Sequence, residues 1–464
     1  MILLLFFFFP IFSLFIIFLI PSRFKNILFY FGLFSLLFQT LTFLYFINIQ
    51  NLPYKYSFQW IKFFNINFSL YIDNLSFSLI ILNLILYITS LIFSLEEIEE
   101  KVKEFLIWSF LILIAINGAF LSGDLFLFYI FFGLLPVPLF FMIKNFGNRE
   151  IEYSAYKFLI YLLTGSSFLI TGILILVFYF KNLNGFFSFD IFELSKISLS
   201  KNLERIIFFL FIFPFLINTF IFPEWFFKII AGSRAFCSVI LSGVILKIGI
   251  YGIIRIAFQI FPGFSKDISN LIIIISVFTI IYISSILWRQ RNFKKILAYL
   301  NLFYMGLIMI GIFTFQEEGF NGSILQLFNH GITMGALFII SGSMYKREKT
   351  FEIEKIGEII NNLSFLRVIF LISILSIIFF PGLNNFTGTF LIFYSIFKKS
   401  IFLFIISILS TMSICLYFLS FLIKFSFRKY KSRKIENLNL KEIISLIPLI
   451  FLMFYLGIYP NLWK

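Results

Sequence analysis

Residues 235–260 read AFCSVILSGVILKIGIYGIIRIAFQI, a run in which only Lys247 and Arg255 carry charge. A bilayer core roughly 30 Å thick is crossed by about 20 helical residues, so this stretch is long enough to span it. Lys247 lies twelve residues into the run, about 18 Å from either end at a rise of 1.5 Å per residue. A lysine stem cannot carry its ammonium that far to water. An ionisable group at mid-membrane costs about 2.5–3.5 kcal/mol on insertion scales, so its presence raises a functional question. Arg255 is close enough to the end of the run to reach the interface and is read as an anchor.

The rest of the chain agrees with a lipid setting. Of 464 residues 61% are hydrophobic and 13% charged, more apolar surface than a soluble core of this length can hide. The 76 phenylalanines exceed what membrane residence requires and suggest a T-rich genome of the organellar kind. The formal charge of +15 comes from Lys and Arg in short gaps between apolar runs, without the continuous basic face a nucleic-acid partner would need. Cys237 and Cys415 fall inside apolar runs with no CxxC or Cys/His spacing around them, so no metal, disulfide or redox cofactor is expected. The start, MILLLFFFFPIF, has neither the Arg-rich character of a transit peptide nor a signal cleavage site, and is expected to stay as a membrane helix.

Cutting the chain at charged or Pro/Gly-containing gaps predicts about fourteen spans: 2–20, 26–48, 69–95, 104–121, 124–143, 156–180, 206–223, 235–260, 270–288, 296–315, 323–344, 366–392, 399–424 and 442–459. The expected fold class is an all-α polytopic membrane protein, one membrane domain over 1–464. Helices are required because lipid offers backbone groups no other partner. Gaps following odd-numbered spans hold 25 Lys and Arg and the opposite side 10, which with Lys247 and Arg255 completes the 37. That asymmetry predicts odd-numbered loops inside, the matrix side in a mitochondrion, and both termini outside. The acidic run EEIEEKVKE at 96–104 is read as a solvated loop.

Few polar residues fall within the spans. A buried lysine near a carboxylate or a water chain can exchange a proton; it can equally be half of a structural ion pair. His330, the sole histidine, sits in SILQLFNHGITMGALF and is either a proton relay or a hydrogen-bonded helix contact. Two spans carry helix breakers, Pro214 and Pro223 in one, Pro381-Gly382 followed by Asn384 and Asn385 in the other; such breaks often line ion paths. Asp73 and Asp124 lie near span starts, where a carboxylate complements a helix N-terminus.

SGVILKIGIYGIIR at 242–255 resembles the L-L-K-x-G-G-Y-G-x-x-R signature of subunit 4 of the mitochondrial proton-pumping NADH:ubiquinone oxidoreductase, complex I. WRQRNFKKILAYLNLFYMG at 288–306 and FNHGITMGALFIISGSMYKREKT at 328–350 are similar to that family's next two signatures, carrying over Arg289, Gln290, Lys294, Tyr299, His330, Tyr345, Arg347 and Thr350. FYIFFG at 128–133, FPGLNNFTG at 380–388 and LGIYP at 456–460 follow in the family's order. The resemblance implies an antiporter-like fold with broken helices 7 and 12 and a line of ionisable residues that moves protons. It implies a membrane-arm place in the respiratory chain among other complex I subunits and membrane lipids, in the mitochondrial inner membrane, with no cofactor of its own. Catalysis of the redox step would lie elsewhere in the complex.

The departures are specific. Gly133 stands where the family's fifth-helix glutamate belongs and Thr389 where its twelfth-helix acid belongs, while the seventh-helix lysine aligns with Leu216 or, allowing a gap, Asn218. Lys247 and His330 remain as proton-path candidates, and Glu224 or Lys228 can compensate only if folded into the cavity. The expectation is a membrane-arm subunit with a depleted or altered path; an independent cation/proton antiporter, or a purely structural membrane subunit, are the alternatives.

Overall fold

The computed structural model describes residues 2–219, 224–427 and 435–460, apart from the side chains at 218, 219, 224, 356, 361 and 425–427. Among the described residues, twelve helices are long and apolar enough to cross a membrane, from Ile2–Leu19 to Leu440–Ile458. The two expected spans missing from the twelve are instructive. The seventh is a helix, Lys201–Thr219, whose first turns carry Lys201, Glu204 and Arg205; Pro214 lies inside it without ending it, and Pro223 falls outside the described residues. The twelfth is two shorter helices, Ser364–Ile377 and Asn384–Lys399, separated at Pro381-Gly382. Proline lacks the N–H that would continue the ladder, and Gly382 adopts φ +91, a left-handed conformation that favours glycine.

The chain groups into two compact units, one of Met1–Tyr87, Ile98–Ile229 and Ile245–Asp267, the other of Ile88–Glu97, Ile230–Val244 and Ile268–Lys464. In the first unit the opening helices Ile2–Leu19 and Lys25–Ile49 are joined by a buried Ser35 to Ser13 hydrogen bond of 2.7 Å. Most of the gap that follows folds as an antiparallel hairpin, Tyr54–Ile61 with Ile66–Ile72, Tyr54 opposite Ile72. The expected span 69–95 therefore becomes the end of a strand and then the helix Asn74–Glu97. The fifth span is interrupted once, Leu125–Leu134 giving way to Pro136–Phe146 with proline at the first position of the second piece. Asp124 caps the first piece, accepting from the backbone N–H of Phe126 at 2.8 Å and Leu127 at 3.3 Å, as a carboxylate at a helix start should. Phenylalanine fills the interior: Phe128 and Phe132 meet Phe215 edge-on, and a side chain at Gly252 would collide with the same ring at 2.4 Å.

In the second unit Phe293–Phe313 and Glu317–Glu348 are almost wholly buried, whereas two thirds of the outer Ile401–Lys424 faces outward. Large apolar side chains such as Phe402, Leu409 and Leu416 make up that outward face, the distribution expected where lipid or another membrane subunit is the neighbour. The closing helix Leu440–Ile458 is fixed at its start by a capping box between Asn439 and Glu442. Both carboxylate oxygens of Glu442 accept from Arg347, at 2.9 and 2.8 Å, and the same guanidinium donates to the carbonyls of Ser343, Glu436 and Asn437. Farther along, Gly457 packs so closely that an added Cβ would stand 2.1 Å from the Gly382 carbonyl, so the closing helix lies directly on the break.

Two charged features differ from expectation. The 96–104 run is not a free loop: Glu96 binds Lys346 and Asn439, Glu97 accepts from the Ala235 N–H, and the next helix already begins at Val102. Arg255 is not an interfacial anchor; it is buried and paired with Asp73 beside the rings of Tyr71 and Tyr251.

Arg347 and Glu442 are both nearly inaccessible, and removing one partner of such a pair strands the other's charge. Arg347→Met is expected to destabilise the protein by about 3–5 kcal/mol, and adding Glu442→Leu to recover a large part of that loss. Thermal unfolding of the purified single and double variants reads both effects.

Candidate functional site

Lys247 is fully buried, as its place in the sequence predicts. It sits on a short α-helical stretch, Leu246–Gly252, flanked by π-helical turns at Leu241–Ile245 and Ile253–Ala257. Each π turn inserts a residue into the register and changes which face the following side chains present, a distortion that recurs at functional sites. Four residues on, Tyr251 donates its hydroxyl to the Phe120 carbonyl at 2.9 Å and packs edge-on against the Phe120 ring. Arg255 and Asp73 lie one more turn along. Asp73 precedes the first residue of Asn74–Glu97 and accepts from the Ser76 backbone at 3.0 Å and hydroxyl at 2.7 Å. Burial pushes its carboxyl up, and the Arg255 charge with the Ser76 hydrogen bonds more than offsets this, holding it below its ordinary value. The end of the lysine helix is thus held by an ion pair.

Gly133, on the helix Leu125–Leu134, faces open space: an added Cβ would meet no atom within 4 Å. A small cavity in the same unit is lined by its neighbours Phe132 and Leu135 together with Pro136, Ile245 and Ile248. Its walls are apolar, and no carboxylate is among them. Leu216 is half-buried on Lys201–Thr219; the Asn218 and Glu224 side chains lie outside the described ones, and Lys228 is exposed rather than folded inward.

In the second unit the His330 ring is buried against Tyr304, centroids 4.6 Å apart, and the Tyr304 hydroxyl donates to the Ile377 carbonyl at 3.1 Å. One turn on either side of the histidine, Glu317–Glu348 projects amides and hydroxyls at the broken helix. Asn329 and Asn384 exchange bonds, each side-chain amide donating to the other's carbonyl, at 2.6 and 2.9 Å. Ser376, the next-to-last residue before the break, donates to Asn384 at 2.7 Å and receives Asn385 at 2.9 Å, while Asn385 also donates to Thr333 at 3.1 Å. Gln326 donates to Asn385 at 3.1 Å and accepts from Thr389 at 3.3 Å. Thr389 is therefore the last member of a buried chain of neutral donors and acceptors, at a position where the resemblance implies an acid. Gln326, Asn329 and Thr333 carry no sequence signal beyond being polar in an apolar helix. Elsewhere in this unit Lys294 is buried and donates to the Ser233 carbonyl, near Glu97.

The chain is similar to known proteins over most of its length. The family described as NADH:quinone oxidoreductase/Mrp antiporter, TM matches residues 122–416. NADH-quinone oxidoreductase subunit M of Rickettsia prowazekii is 31% identical over 426 residues, covering 89% of this chain and 85% of that protein. NADH-ubiquinone oxidoreductase chain 4 of Marchantia polymorpha is 29% identical over 437 residues, covering 91% and 87%. Among solved structures, a chain of respiratory complex I from Thermus thermophilus with bound NADH superposes with a TM-score of 0.88 at 22% identity, covering all of this chain and 96% of that one. A chain of an archaeal membrane-bound sulfane sulfur reductase gives 0.87 at 19%, covering 99% and 95%.

The open space at Gly133 makes a direct prediction. Gly133→Ala in the last turn of Leu125–Leu134 is expected to stabilise the protein by about 0.5–1 kcal/mol, because nothing clashes and the unfolded chain loses freedom. A lower unfolding temperature for this variant would mean that the space is filled in the assembled protein.

Proposed function

The chain belongs to the NADH:quinone oxidoreductase/Mrp antiporter family of membrane proteins, and from that premise we propose that it holds the place of subunit M or chain 4 in the membrane arm of a respiratory NADH:quinone oxidoreductase. It is a multi-pass subunit without a redox centre of its own, in the mitochondrial inner membrane, with the odd-numbered loops toward the matrix. Its neighbours are the other membrane-arm subunits. Its part in coupling electron transfer to proton translocation is altered, because the proton path through this chain is depleted.

The observation that carries the depleted path is the neutral network at the broken helix. A proton path needs groups whose charge state changes during the cycle. Amides and hydroxyls hold a hydrogen-bonded chain together and do not change charge near neutral pH. With Thr389, Gln326 and Asn385 joined in that way and open space beside Gly133, two positions that carry carboxylates in the resembling family offer none here. Lys247 and His330 are the titratable groups left from that set, each buried deep in its own unit. The preserved helices, caps and ion pairs support an assembly role, holding the arm's neighbours at the correct spacing.

Affinity purification from native membranes is expected to recover this chain with NADH-oxidising subunits; migration as a free monomer on native gels would count against the assignment. In the assembled complex, Lys247→Ala is expected to leave the number of protons moved per electron unchanged. A fall in that ratio, with assembly intact, would establish a working relay through Lys247 and overturn the depleted path.

A further inference from the structure

Two aspartates of the first unit face one another. Asp124 and Asp190 form an isolated antiparallel bridge, closed by the Leu125 N–H to the Phe189 carbonyl at 2.9 Å and the Ile191 N–H to the Gly123 carbonyl at 3.4 Å. These bonds flank the pair instead of joining it, the arrangement that brings opposed residues closest, with Cα atoms about 4.5 Å apart and both side chains on one face. Like charges so placed destabilise the pairing. Both residues are buried, Asp124 at 1% exposure and Asp190 at 8%.

The two carboxyl groups are not equivalent. Asp190 accepts from the Phe192 N–H at 2.9 Å through Oδ1 and from the Lys55 ammonium through Oδ2, so both of its oxygens have donors. Asp124 accepts from Phe126 and Leu127 through Oδ1 alone, and its Oδ2 is buried with no hydrogen-bond partner. One ammonium thus stands beside two carboxyl groups, and Asp190 has it. Among the described residues the other ionisable groups nearby are engaged elsewhere. Strand Ile66–Ile72 brings Tyr71, whose ring packs on Phe192 and meets Arg255, itself paired with Asp73. Glu193 accepts from the Ser188 hydroxyl, and Lys181, in the last turn of Glu152–Asn184, stands over the Phe187 ring. Lys144 on Pro136–Phe146 is bonded to Tyr156, and Val102–Leu121 carries no ionisable side chain beyond Glu104. A buried carboxylate oxygen without a donor, opposite a second carboxylate, is costlier than the neutral acid.

We propose that Asp124 and Asp190 form a proton-binding site, in which one proton rests on Asp124 Oδ2 at neutral pH and exchanges with water by way of Asp190 and Lys55. Binding forms one O–H bond and removes one negative charge from the facing pair. The neutral acid keeps the helix cap, since Oδ1 still accepts from Phe126 and Leu127. The positive end of the helix favours an anion through those N–H groups, and it offers Oδ2 no donor. Access runs from Lys55, whose side chain is 36% exposed, through Asp190 at 11%, to Asp124. Past Asp124 the helix Leu125–Leu134 carries no carboxyl, imidazole or amine, so the proton leaves by the side it entered. The site does not rest on the proposed place in the respiratory complex, and the two readings fail separately.

The chain has four aspartates, Asp73, Asp124, Asp190 and Asp267, so a heavy-carbon label on aspartate carboxyl groups isolates very few signals. The test is a pH series of infrared difference spectra of the labelled full-length chain in phospholipid discs. The unmodified protein is expected to show one label-shifted carbonyl band of a protonated acid at about pH 6, where an ordinary aspartate of pKa about 3.9 is almost wholly ionised. Asp124→Asn is expected to abolish that band. Asp190→Asn is expected to keep it and move its midpoint to lower pH, because the opposed charge is gone and Lys55 is released. No such band in the unmodified protein, its survival in Asp124→Asn, or an unmoved midpoint in Asp190→Asn would each overturn the proposal. The first of these needs no variant, so a substitution that fails to fold leaves the test standing.

Discussion

A helix that stops inside a membrane must find partners for the backbone groups it releases, because lipid has none to offer. The rest of the second unit is arranged around that constraint. At the break between Ser364–Ile377 and Asn384–Lys399 side chains bond the freed backbone: Asn329 of Glu317–Glu348 donates to the Asn384 carbonyl, Asn385 to that of Ser376 and Tyr304 to that of Ile377. The closing helix lies against the turn itself through the Gly457 and Gly382 contact, and the Arg347 and Glu442 pair fixes where that helix begins. A charged group in the same place would need either a buried counter-charge or water. The neutral network needs neither, and it is self-sufficient in a way that an ion path cannot be.

The first unit handles buried charge differently. Arg255 and Asp73 neutralise one another with Tyr71 and Tyr251 packed over the guanidinium, an arrangement that closes the end of the lysine-bearing helix. Lys247 is then left on a short α-helical segment between two π turns, where the helix is locally out of its usual register. Charge is thus paired at the helix end, while the space beside Gly133 holds no side chain within 4 Å.

Much of this was legible in the sequence, for physical reasons that also mark where legibility ended. Apolar runs of about 20 residues can be little other than membrane helices, and Lys247 in the midst of one is buried by arithmetic alone. Pro381-Gly382 marked its break because proline cannot continue the ladder. The hairpin at 54–72 was missed because it lies in a gap between two helices, where span counting gives no signal. The acidic run looks solvated in the sequence because Glu96 finds Lys346 some 250 residues away, and Arg255 looks like an anchor because its partner Asp73 is 182 residues distant. Such pairings are decided by packing, which no local pattern encodes. The π turns are of the same kind: no residue type announces them.

The clamp between Arg347 and Glu442 also sets an order of events during biogenesis. The guanidinium enters the nascent protein 95 residues before its carboxylate exists, an interval of about 5–20 s at a synthesis rate of ~5–20 residues per second. Through that interval the break at 378–383 lacks the helix that will lie over it, and the guanidinium lacks its carboxylate. The contacts of Leu440–Ile458 with Arg347 and with the break therefore form only after both halves of the broken helix have been synthesised.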